Sequence, residues 1–200
     1  VVEAEEVGSV FLLPVVARLA GAAGTVWRTD TWIMNPFESS QQLRLEYRAA
    51  GVTAPLRQQL NIGPGELVAT EDVVGTLFSA AGDGKGSLAV EAPDGVFVSS
   101  RTYNLGPSGT YGQAVPALAA GDLVSAPDSV VLPKIKSTSD FRCNVGFTDA
   151  AGQGATVEVV LYAVTARGLE QLATRRFTVA AWENKQVDRI FQVMGVTGSH

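Results

Sequence analysis

Two stretches of the 200-residue chain lie over one another without a gap. Trp27-Arg28-Thr29-Asp30 matches Phe141-Arg142-Cys143-Asn144. The same register carries Ile33 onto Phe147, Asn35 onto Asp149, and Leu43, Leu45 and Tyr47 onto Val157, Val159 and Leu161. Leu13-Pro14 recurs as Leu132-Pro133, and Leu60 and Ile62 match Phe177 and Val179. The stretch ending at Phe78 has a looser counterpart around Ile190-Phe191. A repeat of this size restricts the chain to architectures in which one unit is built twice.

The repeat also assigns faces. In the second copy Phe141, Cys143, Val145 and Phe147 alternate with Arg142, Asn144, Gly146 and Thr148. Alternation of this kind belongs to a half-buried antiparallel strand, with the apolar set inward. Carried back by register, Trp27, Thr29, Thr31 and Ile33 face the first core. Arg28, Asp30, Trp32 and Met34 face away from it. A slip of one residue would reverse every one of them.

The rest of the chain reads as further strands. Gly is abundant at 21 residues, and hydrophobic residues make up 46% of the chain against 18% charged. Such a mix favours strands and turns. A first strand covers 10–16 and ends near Pro14, followed by a small-residue loop at 20–24. Residues 42–48 alternate apolar and polar, 57–62 form a fourth strand, and Gly63-Pro64-Gly65 a tight turn. Residues 66–70 are extended, and Asp72 opens one or two helical turns to Phe78. Residues 87–91 and 96–104 pair as a hairpin across Ala92-Pro93-Asp94-Gly95, where Gly supplies a positive φ. Residues 111–118 make a short strand.

The small, polar stretch that follows is read as a boundary. The expected organisation is a first domain at 1–120, a linker at 121–128, a shorter second domain at 129–197, and a tag remnant at 198–200. In the second domain, 130–133, 141–148, 156–163, 172–179 and 182–187 are extended and 187–193 is a helical turn. Nothing there matches 87–104. The second domain is therefore incomplete, or completed by another segment or chain. Val160 and Tyr162 face outward in it, which suggests a contact with a domain or a chain.

The fold class is all-β, with strands of the length and spacing of tandem immunoglobulin-like antiparallel sandwiches. Trp27-Arg28-Thr29-Asp30, Asn35-Pro36, Ser100-Arg101-Thr102-Tyr103-Asn104, Gly109-Thr110-Tyr111-Gly112-Gln113 and Val115-Pro116 together resemble repeats in secreted and cell-surface bacterial proteins. The resemblance covers nearly the whole chain. It implies export and a non-enzymatic role, and it names no ligand. The Cys…Trp…Cys pattern of antibody domains is missing.

Few kinds of chemistry fit these residues. The one histidine is His200, so no Ser-His or Cys-His pair can be built. The one cysteine, Cys143, falls on the predicted core face and reads as a structural thiol. No cofactor or metal is expected. Calcium at Asp83, Asp94 or Asp122 would need oxygen ligands less scattered than these. Residues 82–87 are glycine-rich but lack the Gly-Lys-Ser/Thr ending of a phosphate loop. A hydrolase using Glu71, Asp72, Asp83 or Asp94 is a distant alternative, because Asp72 reads as a helix cap and Asp94 as a turn residue. Net charge is -5 with no basic cluster, which argues against nucleic acid. No apolar run reaches the ~20 residues of a membrane helix, and no signal peptide opens the chain.

Binding is the stronger expectation. The outward row Arg28, Asp30 and Trp32, with Arg101 and Tyr103 on a neighbouring strand, is the candidate ligand site, for protein or for glycan. The competing reading is structural: Arg28 and Asp30 pair within the neighbourhood of Arg101, and Gly109-Thr110-Tyr111-Gly112 covers Trp32. The function expected is a structural or adhesive module of an exported bacterial protein acting through protein–protein contacts, self-association included. The alternative is a carbohydrate-binding accessory module.

Overall fold

The computed structural model describes residues 8–21, 24–80 and 82–198. Positions 1–7, part of the 20–24 loop, and Ser199 and His200 of the expected tag lie outside the described residues. The chain divides into two units, Val1–Leu123 and Val124–His200. The strands of both are antiparallel, and they make up most of the first unit.

In the first unit β1 (Ser9–Ala20), β2 (Val26–Met34), β3 (Gln41–Ala49), β4 (Leu56–Ile62), β5 (Leu67–Thr70), β6 (Gly84–Ala92), β7 (Phe97–Gly106) and β8 (Gly109–Pro116) form one path. Its order is β4-β3-β6-β1-β2-β7-β8, with β5 on β2. The strand β1 joins the two halves. Most of its length pairs with β6, and only Leu19 and Ala20 reach β2. Pro14 does not end it, contrary to the sequence reading. The proline has no N–H to give, so the ladder breaks between Leu13 and Val16 and resumes at Val16 opposite Gly86. At Gly86 the chain passes so close to the Arg48 carbonyl that a side chain would collide with backbone.

The expected hairpin at 87–104 is corrected. A turn does join the strands, with the Val96 N–H donating to the Pro93 carbonyl at 3.2 Å. The two strands then part: β6 lies between β1 and β3, and β7 between β2 and β8. With both edges of each strand occupied by other strands, the turn becomes an arch between the two halves.

The alternation of β2 falls where the sequence register with 141–147 predicts it. Thr29, Thr31 and Ile33 are buried, and Met34 is exposed. They join Leu13 and Val16 of β1, Leu43, Leu45 and Tyr47 of β3, and Leu88 and Val90 of β6 in burial. Ile33 of β2 is the member of this core that sits on the second half. A short helix, α1 (Val73–Thr76), closes the core with Val73 and Val74. Four residues cannot hold a helix by propensity alone. Here the Asp72 carboxylate caps it by accepting the Gly75 N–H at 3.4 Å.

The second unit has β9 (Val145–Thr148), β10 (Ala155–Thr165), β11 (Gly168–Val179), β12 (Asn184–Val187) and α2 (Ile190–Val193). β10 pairs with β11, and β9 with β12. Ala155 stands opposite Val179 as Gln41 stands opposite Ile62 in the first unit. Phe147 stands opposite Lys185 as Ile33 stands opposite Val68. Asn35 N–H donates to the Glu66 carbonyl at 2.9 Å and Asp149 N–H to the Glu183 carbonyl at 3.0 Å. Asp72 and Arg189, the residues that open α1 and α2, both have left-handed backbone, at φ 47° and 50°. A smaller core gathers Val145, Leu161, Phe177, Val187, Ile190 and Phe191, with the Phe147 and Phe177 rings 5.8 Å apart.

The second unit departs from the sequence reading at its start. Residues 130–133 form no strand, and Val130, Val131 and Leu132 are exposed. The strand expected at 141–148 begins only at Val145, and Phe141, assigned to the core, is exposed. The physical reason lies in the first unit, where β1 and the first half of β2 depend on β6 and β7 for pairing. The second unit holds no strand in those places among the described residues.

Candidate functional site

The register between β2 and β7 sets Arg28 opposite Tyr103, Asp30 opposite Arg101, Trp32 opposite Ser99 and Met34 opposite Phe97. The five predicted residues Arg28, Asp30, Trp32, Arg101 and Tyr103 thus share one face of two adjacent strands. Four of them belong to a single polar network. Asp30 Oδ1 accepts the Tyr103 hydroxyl at 3.0 Å and the Asp72 N–H at 2.9 Å. The Arg28 Nε stands 3.2 Å from Asp72 Oδ2, which also pairs with Arg18. The Arg101 guanidinium lies 4.9 Å from the centre of the Tyr103 ring, and its Nη2 donates to Thr110 Oγ1 at 2.7 Å. Beneath them Thr29 and Thr102 share a hydroxyl bond of 2.8 Å, and Thr29 Oγ1 accepts the Ala17 N–H.

This network joins β1, β2, β7, β8 and the start of α1. Burial pushes the Tyr103 phenol up, and its bond to the anionic Asp30 raises it further. The phenol therefore stays protonated and donates. The Arg28 partner is Asp72, not the neighbourhood of Arg101. Arg18 and Asp72 escape a reading by strand parity because one lies near the end of β1 and the other in a turn. The legible signal was Asp72 at a cap position.

Trp32 stands apart from the network. Its cross-strand neighbours are Ala69 of β5 and Ser99 of β7. Gly109–Pro116 is strand β8, and Gly112 of that strand packs on Tyr103. The segment predicted to cover Trp32 is thus a strand paired beside Tyr103 instead. One step along the same face is a row that sequence reasoning missed: Leu67, Met34 and Phe97, directly opposite one another on β5, β2 and β7. They are 58%, 37% and 64% exposed.

Two further carboxylates considered from the sequence are engaged within the protein. Asp94 Oδ1 accepts the Ser9 hydroxyl, and Asp122 Oδ2 the Ala119 N–H at 2.9 Å. Among the described residues no group of three or more His, Cys, Asp or Glu gathers to hold a metal ion. Cys143 is half-buried against the second core, and burial raises its thiol. It lines a shallow hollow with Ser139, Arg142 and Arg189.

No family model and no curated protein matches the chain. Among solved structures, the chain is similar to the crystal structure of Thermotoga maritima 1070, at 12% identity and a TM-score of 0.45. That likeness covers 56% of this chain and 95% of the other.

The network carries a first prediction. Asp72→Ala removes the cap of α1 and leaves Arg18 and Arg28 without their shared carboxylate. A lost cap costs about 1 kcal/mol, and the half-exposed ion pairs add less than that. Urea unfolding followed by tryptophan fluorescence should show the loss, and Asp72→Asn, which keeps a capping oxygen, should recover most of it.

Proposed function

We propose that the chain is a non-enzymatic structural or adhesive module of an exported bacterial protein, made of two immunoglobulin-like sandwich domains that are copies of one unit. The duplication is supported by the equal spacing of strand partners in the two units and by the paired turns at Asn35 and Asp149. The observation that carries the function is the exposed row Leu67, Met34 and Phe97 beside Trp32. Three apolar side chains in cross-strand contact on a solvent-facing sheet are a protein-contact surface rather than scattered exposure. The charged residues beside them are engaged with one another, which leaves the apolar row as the part of this face able to take a partner.

The test uses light scattering over a range of concentrations, together with tryptophan fluorescence against a glycan panel. Self-association that Phe97→Lys abolishes supports a contact module. Quenching by a glycan that Trp32→Ala removes would sink it in favour of a carbohydrate-binding module. A clean monomer that responds to no glycan would sink self-association through this face.

A further inference from the structure

We infer that the edge of β10 turned away from β11 is an acceptor for an extended strand from a different polypeptide chain, a strand of alternating apolar residues with a lysine or arginine facing Glu158. This rests on the reading of the protein as a contact module and names the surface and the kind of partner.

The first unit shows what that edge is built to hold. There β3 is paired on both sides, by β4 on one and β6 on the other. The residues of β3 from Arg44 to Ala49 stand opposite Glu91 to Gly86. Under this cover Leu43, Leu45 and Tyr47 are almost wholly buried. At the matching places of β10, Val157 and Val159 are only half-buried and Leu161 alone is buried. Among the described residues β10 has one partner strand, β11. An edge with unpaired N–H and C=O groups above incompletely covered apolar side chains is the substrate of strand addition.

A second observation points to the same place. In the first unit β6 lies between β3 and β1. The residue in the second unit that matches Leu13 of β1 is Leu132, and it sits with Val130 and Val131 in an exposed, unpaired stretch. One incoming strand would therefore meet two waiting partners: β10 on one side and 130–133 on the other.

Charge decides the occupant. Arg44 of β3 faces Glu91 of β6, with Nη1 and Oε1 3.3 Å apart. Glu158 occupies the Arg44 position in β10 and lies 2.8 Å from Arg176 of β11. A β6 strand borrowed from a second copy would set Glu91 against Glu158, and like charges directly opposite are unfavourable. In a folded copy that strand is also held between β1 and β3. A different chain, with the apolar alternation of β6 and a cation in place of its glutamate, fits both requirements.

The probe is a nine-residue peptide of sequence 84–92 carrying Glu91→Lys, added to the full chain. Amide hydrogen exchange is read at 158–163 and at 130–132. Protection in both stretches is the expected result, with binding about threefold tighter than for the unaltered 84–92 peptide, as one exposed ion pair allows. Glu158→Lys should reverse that preference, and a peptide N-methylated at alternate amides should not bind. Protection absent from 158–163, or an undiminished response to the N-methylated peptide, would overturn the inference. Equal or tighter binding of the unaltered peptide would overturn the charge assignment and return the edge to a second copy. None of these outcomes depends on the exposed row at Met34, so the two readings fail separately.

Discussion

Asn35→Asp is expected to destabilise the first unit by about 3–5 kcal/mol, a large part of the 5–15 kcal/mol that holds a typical domain together. Asn35 is fully buried at the end of β2. Its Nδ2 donates to the carbonyls of Ser39 at 2.8 Å, Gly63 at 2.8 Å and Ile62 at 3.2 Å, while Oδ1 accepts the Phe37 N–H at 3.0 Å. A carboxylate of the same shape keeps the last bond and turns the other three into anion–carbonyl oppositions. The sign with pH is fixed. Burial against carbonyls raises the folded pKa of the new acid above its unfolded value, so the variant is least impaired below about pH 4 and loses stability as pH rises. Hydrogen exchange read separately on β2–β5 and β9–β12 should place the damage in the first unit. Variant and parent unfolding alike at pH 7 would refute the assignment.

The matching residue in the second unit runs the other way. Asp149 Oδ1 accepts the Ala151 N–H at 3.2 Å, and Oδ2 those of Gly154 at 3.0 Å and Trp182 at 2.8 Å. Partial burial works against its charge, but these backbone donors outweigh it and hold the carboxyl below its ordinary range. Its contribution is therefore present above the unfolded pKa and lost as pH falls through the folded one. The two positions align in sequence and keep the same turn, yet one needs a donor and the other only acceptors. Asn against Asp is the readable trace of that difference.

What the sequence disclosed follows from how far each signal reaches. Alternation is local, but both rows of β2 carry apolar residues, so the inward set Thr29, Thr31 and Ile33 was legible only through the register shared with 141–147, whereas Asp72 was legible as a cap by itself. Pairing is not local. Whether β6 turns back on β7 or crosses to β3 depends on which edges elsewhere are free, and the Pro93-Asp94-Gly95 turn serves either outcome. The Arg28 partner was hidden for the same reason: Asp72 reaches it from a turn over forty positions away in sequence. A match in sequence, finally, transfers residue identity but not environment. Phe141 matches Trp27 in register, and it is exposed because the partner strand that orders Trp27 has no counterpart beside it.

That limit yields the second large effect. Leu13 and Leu132 each precede a proline in matching contexts, and a reading by repeat alone would give them equal weight. Leu13 is fully buried between β6 and the rest of the first core, whereas Leu132 is 56% exposed. Leu13→Ala should cost about 2–5 kcal/mol, the transfer term of the lost methyl groups plus the cavity they leave. Leu132→Ala should fall within about 0.5 kcal/mol of the parent, as surface changes do. Urea midpoints for the two variants, measured side by side, test both values. The pair also reads out strand addition. If an incoming strand recruits 130–133 as β6 recruits β1, Leu132→Ala should stay silent in the free chain and weaken binding of the Glu91→Lys peptide. A large loss for Leu132→Ala in the free chain would mean that 130–133 is already packed there, and that an incoming strand would find β10 alone waiting for it.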